Sequence, residues 1–566
     1  MGLYIGLISL IVSAGACFAL THIGLTRRLG LLAALAATVA TTGVIFDPII
    51  PAVTEPITTI GAVPIWWPMS PDLSERAPVI MLLFGGAIGL LALALAAPPD
   101  AEGFGALFGW LLLALTAACI SLTIPPLSFL TPLSWALAIL ATHGALISSG
   151  AIPAPAQLPP HLVAGAIAVA AVCGIIAMMA LLPPETLPEP ALLALAVIGA
   201  LAIAGAPPFA GTRFGTANAP ALISTLTVGL VLPTIGLGFI VRLLAQLPPL
   251  PPLPGHVLAA IGALGSLGAA IGALRSTSGR ELVLWQGAFQ AGVIVCAAAI
   301  SDPLASLAAP ALLPALQLHA LAGGLIIATI EQRQGSDALD GSPARRALPF
   351  TGILWIFTTA TAIGLPIVWS FWGWRWLIEA LTTRLPWIIA PLIAAAVINM
   401  AAGLPLLIRC WYGKPGKHEL WPENILAVLI LAPLTLAGLI PWLAWPLWLS
   451  WSPFAPPVLP ADPIAWPLVG LVLSIGLGGW FLARQASLPY ASTETDHAVI
   501  PTWYGLGEIL HGLTEFATGR VTLNALGRGL DRTASMLHIA MIIFEQRYYL
   551  FGVIIALLII LVLMAQ

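Results

Sequence analysis

The 566-residue sequence predicts an all-α polytopic membrane protein, and three observations carry that prediction. Hydrophobic residues make up 60% of the chain and charged residues 8%, against about 25% charged in soluble domains. Mean hydropathy is +1.03, which excludes a disordered chain despite 54 Gly and 51 Pro. Apolar runs near the ~20 residues needed to cross a bilayer recur about sixteen times, bounded by charges or Pro-rich turns.

The runs begin with Leu3 to His22, Leu29 to Phe46, Pro78 to Ala97, Phe104 to Ile124, Leu127 to Ser148 and Leu162 to Leu182. They continue with Ala191 to Ala206, Pro220 to Leu244, Val257 to Leu274, Leu282 to Ile300, Leu304 to Ile330 and Phe350 to Phe371. Trp387 to Ile408, Ile425 to Leu449, Pro463 to Leu482 and Tyr548 to Met564 complete the series. No basic residue precedes the first run and Arg27 and Arg28 follow it, the reverse of a secretory signal, so it reads as a retained span with the N-terminus outside. Alternating from there places sixteen basic residues on the cytoplasmic side and only Arg76, Arg242, Arg375 and Arg384 outside. That asymmetry follows the positive-inside rule.

Of the 20 basic residues only Lys414 and Lys417 are lysines, both in one polar loop, so no lysine lies within the bilayer. A net charge of −3 with no basic cluster excludes a nucleic-acid partner. Cys17, Cys119, Cys173, Cys296 and Cys410 are scattered through or beside apolar runs without a C-x-x-C pair and read as membrane-buried packing residues. From Ala483 to Gln546 charges alternate with spaced apolar residues. Leu506, Ile509, Leu510, Leu513 and Phe516 recur at helical spacing, which predicts an amphipathic helix along the cytoplasmic face, either as a surface element or as a brace against neighbours. The small residues of Gly262 to Leu274 form a helix-packing face and, with no preceding strand, not a phosphate loop.

Several segments in one order resemble the antiporter-like membrane subunits shared by respiratory complex I, membrane-bound hydrogenases and Mrp cation/proton antiporters. APPFAGTRFGTANAPALIS, Ala206 to Ser224, is similar to that family's loop with P-F-H-x-W-L-P-D-A before A-P-x-P-x-S. TIGLGFIVR, Thr234 to Arg242, resembles K-x-G-x-Y-x-x-x-R, and RELVLWQGAFQAG, Arg280 to Gly292, resembles K-R-x-L-A-Y-S-S-x-x-Q-x-G. LHALAGGL, Leu318 to Leu325, stands where the family has N-H-A-x-x-K-A-x-L. GLPIVWSFWGWRWLI, Gly364 to Ile378, resembles G-x-P-P-x-x-G-F-x-x-K, and IRCWYGK ends the next helix as the family does.

The resemblance implies about 14 core transmembrane helices with inverted repeats, followed by the amphipathic helix and a final span. The corresponding division is 1–126, N-terminal helices; 127–449, antiporter-like core; 450–483, an additional span; 484–546, the amphipathic segment; and 547–566, the last helix. It further implies a subunit that contributes to proton or Na⁺ translocation, with other membrane subunits as partners, in a bacterial or organellar energy-coupling membrane. No catalytic centre or cofactor is expected in this chain; quinone, flavin, iron–sulfur or nickel belong to partner subunits.

Family members carry ionisable groups near mid-membrane, where charge is costly and strongly felt. Here Ala136 follows Trp135 in place of a glutamate, LAIAGAP, Leu201 to Pro207, stands where the family has a seventh-helix lysine, and the positions of three further family lysines are taken by Thr234, Gly323 and Trp374, with Ala210 in place of a histidine. The remaining candidates for a proton path are His319, His143, Thr234 and Arg375. Imidazole exchanges protons near neutral pH, although a histidine in an apolar helix can equally be bonded to a backbone carbonyl. Arg242 and Arg280 stand near span ends as structural basic residues, snorkelling to water or packing helices. Pro233 and Pro366 are candidate helix breaks, since each removes a backbone donor. Trp369, Trp372, Trp374 and Trp376 read as an interfacial aromatic belt, and Arg375 and Glu379 as an ion pair on one helix face. The missing charges leave a second expectation, a connector of the same fold that has lost the ion path.

Overall fold

The computed structural model describes residues 2–23, 25–45, 58–60, 63–65, 73–96, 104–150, 159–181, 189–214, 219–246, 252–339, 348–365, 368, 370–411 and 512–519. The runs from Ile425 onward, Lys414, Lys417, Trp369 and Pro366 lie outside these residues. Four helices open the chain: α1 (Gly2–Ala19), α2 (Thr26–Ile45), α3 (Leu73–Ala96) and α4 (Phe104–Thr123). A short antiparallel hairpin pairs Thr58–Ile60 with Val63–Ile65 between α2 and α3. Next come α5 (Leu130–Ser148), α6 (Pro160–Leu181), α7 (Glu189–Ala204), the single turns α8 (Gly211–Phe214) and α9 (Ala221–Ser224), and α10 (Leu232–Gln246). The last described series is α11 (Pro252–Leu274), α12 (Gly279–Ala299), α13 (Pro303–Gln334), α14 (Pro349–Ile363), α15 (Ser370–Arg384) and α16 (Pro386–Trp411).

Among the described residues, eleven helices are long and apolar enough to cross a membrane, and Ala191–Ala204 and Pro349–Ile363 are shorter apolar helices. The chain is an integral multi-pass membrane protein. In a bilayer only helices that satisfy their own backbone can span, which is why apolar length alone locates these elements. The 32-residue α13, about 48 Å long at 1.5 Å per residue, is the central post. It packs against α3, α10, α12, α14 and α15, and its sides are almost wholly buried. Asp302 caps its start, accepting from the Leu304 amide at 2.9 Å, and Gly335 ends it in the left-handed conformation.

Two expectations change. The run Phe350 to Phe371 is not one span: α14 stops at Gly364, whose φ of 73° is left-handed, and a separate α15 starts at Ser370. Periodicity missed α15 because Arg375, Glu379 and Arg384 break its apolar character. Pro233 does not break its helix either. Seven residues of π-helical winding, Thr225–Val231, lead into α10, so the helix continues from Ala221 to Gln246. In the π-helical stretch the Leu232 amide donates to the Thr227 carbonyl five residues back, immediately before Pro233, which has no amide hydrogen to donate.

The small-residue face of α11 is a packing face, as expected. A Cβ at Gly262 would lie 2.6 Å from the Cys296 amide nitrogen of α12, so only glycine permits that approach. Further along the same face, a Cβ at Gly268 would meet Ala517 at 3.0 Å. Residues 512–518 are helical and dock here, and the Ala210 amide donates to the Ala517 carbonyl at 3.0 Å. Of the cysteines, Cys17, Cys119, Cys296 and Cys410 are buried, but Cys173 faces outward from α6.

Candidate functional site

Neutral polar side chains occupy the interior between α3, α10, α12, α13, α14 and α16. Gln317 and His319 are both buried on α13, and two residues along a helix point them to nearly opposite sides. Gln317 donates through Nε2 to Thr234 Oγ1 of α10 and to the Pro78 carbonyl of α3, both at 3.0 Å. His319 Nδ1 lies 3.1 Å from the Thr358 carbonyl of α14. A carbonyl only accepts, so Nδ1 carries the hydrogen and the neutral ring keeps a basic lone pair on Nε2. Gln286 of α12 donates to the Asn399 carbonyl of α16 at 3.4 Å, and Gln290 stands one turn further along α12.

The polar capacity of this row exceeds what the protein itself satisfies. Gln317 Oε1, His319 Nε2, Gln286 Oε1, Gln290 Nε2 and both side-chain polar atoms of Asn399 are buried without a hydrogen-bond partner among the described residues. Each such group costs about 1–3 kcal/mol if it stays unmet. Groups of this kind are chemically suited to hold water and to exchange protons with it through lone pairs and N–H groups. Among the described residues the buried polar set includes no Asp, Glu or Lys.

A second polar group lies where α7 ends. Gly205 takes φ 54°, and Arg213 of α8 turns back onto this end, donating through Nε to the Gly205 carbonyl at 2.9 Å and through Nη2 to the Ala204 carbonyl at 3.0 Å. A cation at a helix C-terminus meets unsatisfied carbonyls and the negative end of the dipole. Burial lowers the Arg213 pKa to about 9, still above neutrality, so the guanidinium is charged at pH 7. Beside it His161, the second residue of α6, is 2% exposed and its Nε2 lies 3.3 Å from His143 Nδ1 of α5.

The sequence-predicted residues separate accordingly. Thr234 and His319 belong to the interior row, whereas His143 belongs to the group at the end of α7. Arg375 joins neither: its guanidinium lies 5.5 Å from the Trp372 ring centroid. Arg242 does not snorkel; it is buried and donates to the Ser121 carbonyl at 3.2 Å and the Ile124 carbonyl at 2.7 Å, closing α4 as Arg213 closes α7. Arg280 pairs with Glu331, lies 3.8 Å from Asp337 and donates to the Ala219 carbonyl at 2.8 Å, tying α12, α13 and the approach to α9. Trp372, Trp374 and Trp376 form no interfacial belt, since all three are buried inside the protein. Arg213, assigned to the cytoplasmic loops by charge alternation, is also buried.

Sequence reasoning missed His161, Gln286, Gln290, Gln317 and Asn399. Their signal was present, since an amide inside a long apolar run is costly wherever it is not partnered. A search confined to ionisable groups passes over it.

No protein-family model and no curated protein matches the chain. Solved structures do. A chain of the Mrp complex from Dietzia sp. DQ12-45-1b superposes with a TM-score of 0.72 at 16% identity, over 95% of this chain and 60% of that one. A chain of the membrane-bound sulfane sulfur reductase, an archaeal respiratory membrane complex, gives a TM-score of 0.70 at 15% identity, over 95% of this chain and 96% of that one. The fold is that of an antiporter-like membrane subunit. This chain spans three-fifths of the Mrp chain's length, as its 60% coverage states.

Within the antiporter-like fold, the positions that the motifs align with family lysines are buried and neutral. Thr234 is wholly buried, and Gly323 lies so close to α12 that a Cβ there would come within 2.9 Å of Val283 Cγ1. Trp374 stacks on Phe289 with ring centroids 6.1 Å apart. The space a lysine would need at Gly323 is therefore taken up by helix packing.

Proposed function

We propose that the chain is a membrane subunit of a multi-subunit complex I-, Mrp- or hydrogenase-type assembly and contributes to proton translocation through its neutral polar row. The observation that supports this most is the set of buried amides on α12, α13 and α16, with His319 on α13, whose polar atoms are left for water to meet, beside Thr234 on α10. A chain needing only a packed core gains nothing from them, because each amide costs free energy to bury. Na⁺ is the weaker choice of ion, since hard cations favour carboxylate and carbonyl oxygens in number. Redox centres belong to partner subunits, the N-terminus faces outside, and residues 484–546 brace the assembly.

A connector that has lost the ion path is the second reading. It is favoured by the buried polar set of the described residues, which holds no Asp, Glu or Lys to lower the cost of a charge in transit. The test is mild-detergent purification from the native membrane with mass spectrometry of the bound subunits, then proton uptake by the reconstituted assembly. Retained partners and at least a tenfold loss of uptake in His319→Phe support the proton-conducting reading. Retained partners with unchanged uptake select the connector. A monodisperse single chain removes the subunit reading. The isolated chain is expected to move protons weakly or not at all.

A further inference from the structure

A small cavity separates the histidine pair from the π-helical stretch. It is lined by His161, the end of α7 from Ala202 to Gly205, Thr212 and Arg213, and Val228 and Leu232 on the opposite wall. The volume open to the centre of a water-sized sphere is about 10 Å³, which corresponds to one water molecule. His161 is 2% exposed, its Nε2 is committed to His143, and its other nitrogen, Nδ1, is buried with no hydrogen-bond partner among the described residues. Thr212 adds a hydroxyl to the same wall and Arg213 a guanidinium, so a water here finds several polar partners. On the far side, Leu232 is two residues before Thr234, which accepts from Gln317.

We propose that this cavity is a binding site for one ordered water, which bonds His161 Nδ1 and makes His143, His161 and the water a proton relay from the α5–α6 flank into the α7–α10 junction. The transfer balances as follows. A proton binds His143 Nε2; the Nδ1 proton of His143 passes to His161 Nε2; the Nδ1 proton of His161 passes to the water. Both rings are neutral again with their tautomers exchanged, and because the charged Arg213 guanidinium lines the same cavity the water does not keep the proton but returns one along the same path, so the relay exchanges protons between flank and cavity and each ring resets with the returning proton. His143 is half-buried on the flank of α5, so it is the outward member, and His161 the inward one. Val228 of the cavity wall belongs to the π-helical stretch, and such winding is frequent at functional sites. This relay deepens the proton reading above, yet it is testable without net transport.

The test uses full-length protein with ¹⁵N-labelled histidine in bilayers, reading by NMR the contact of ring N–H groups with water and their exchange into D₂O. The expected result is a water contact at His161 Nδ1 and exchange at His161 that passes through His143. His143→Phe then slows exchange at His161 at least tenfold, and Ala202→Val, which fills the cavity, removes the water contact at His161 Nδ1. If Ala202→Val does not fold, Val228→Ile fills the same space by one methylene with the same direction of effect. A dry His161 Nδ1, or a His161 rate unchanged by His143→Phe, overturns the relay. Because no ion gradient enters the measurement, an assembly that moves no protons while the ring exchange behaves as expected overturns only the proposed function.

Discussion

The chain breaks two helices with the same local device and seals the two breaks in opposite ways. Ala202-Ile203-Ala204-Gly205-Ala206-Pro207 ends α7, and Ala362-Ile363-Gly364-Leu365-Pro366 ends α14, with both glycines at positive φ. At the first break a buried guanidinium closes over the helix end, with carbonyl bonds of 2.9 and 3.0 Å and a water-sized cavity beside it. At the second an indole lies over the glycine: a Cβ on Gly364 would come within 2.6 Å of Trp374 Cγ. One end is therefore polar and able to hold water, and the other is dry. The motif reading places a lost family lysine at each break, in Leu201 to Pro207 and at Trp374, and only at the second does the replacing side chain cover the helix end. Where the backbone is the same, the side chain covering the break decides whether charge can approach it.

The largest expected effect lies at the dry break. Trp374→Ala removes an indole that is 6% exposed and stacked on Phe289, and should cost about 3–5 kcal/mol. The measurement is thermal unfolding of the detergent-solubilised chain, with Trp374→Phe losing much less. If Trp374→Ala unfolds at the wild-type temperature, the indole is not the seal. Arg213→Met comes next at the polar break. It strands two buried carbonyls that accept charge-assisted bonds, worth about 1.5–3 kcal/mol each, and recovers the cost of burying the cation, so a net loss of about 2 kcal/mol is expected. Arg213→Lys should fall between the two, because an ammonium cannot span both carbonyls as a planar fork does. Equal stability for Met and Lys at this position would show that the charge, and not the fork, is dispensable.

How much of this contrast was readable in the sequence follows from what each interaction depends on. Thirteen of the apolar runs correspond to described helices because apolar length is a property of consecutive residues. The half-buried pairing of Arg280 with Glu331 and the capping by Arg242 depend on residues 51 and 118 or more positions apart, which no local pattern encodes. The tryptophans of Trp372 to Trp376 misled for a related reason. Interfacial and buried tryptophans have the same local composition, and only the packing of α15 on α13 decides between them. His319 was legible as a candidate, and its bond to Thr358 has the form expected of a histidine held by a backbone carbonyl, while its free Nε2 keeps it available for protons.

Smaller changes at the glycines sharpen the comparison. Gly205→Ala places a Cβ 2.7 Å from Thr212 Oγ1 and 2.9 Å from Arg213 Cγ, and the left-handed backbone itself adds about 1–2 kcal/mol for a residue with a side chain. Gly364→Ala carries the same backbone cost and presses on an indole ring held in a packed core. Both variants should unfold at lower temperature than wild type. Only Gly205→Ala should also disturb the ring exchange of His161, since only that break adjoins the histidine pair. Disturbance from Gly364→Ala of the same size would mean that the two breaks communicate.

The smallest expected effect is at Thr234, two residues along α10 from Leu232 of the cavity wall. Thr234→Val keeps the shape and removes the hydroxyl that accepts from Gln317 at 3.0 Å. Gln317 Nε2 still donates to the Pro78 carbonyl at 3.0 Å, so the amide is not left unbonded and the loss should be about 1 kcal/mol or less. Proton uptake by the assembled complex should respond more than stability does, because the hydroxyl both donates and accepts and a methyl does neither. Parallel falls in unfolding temperature and uptake would assign Thr234 to packing alone. A fall in uptake at unchanged unfolding temperature would join the polar break to the interior row and leave the dry break as a purely structural element.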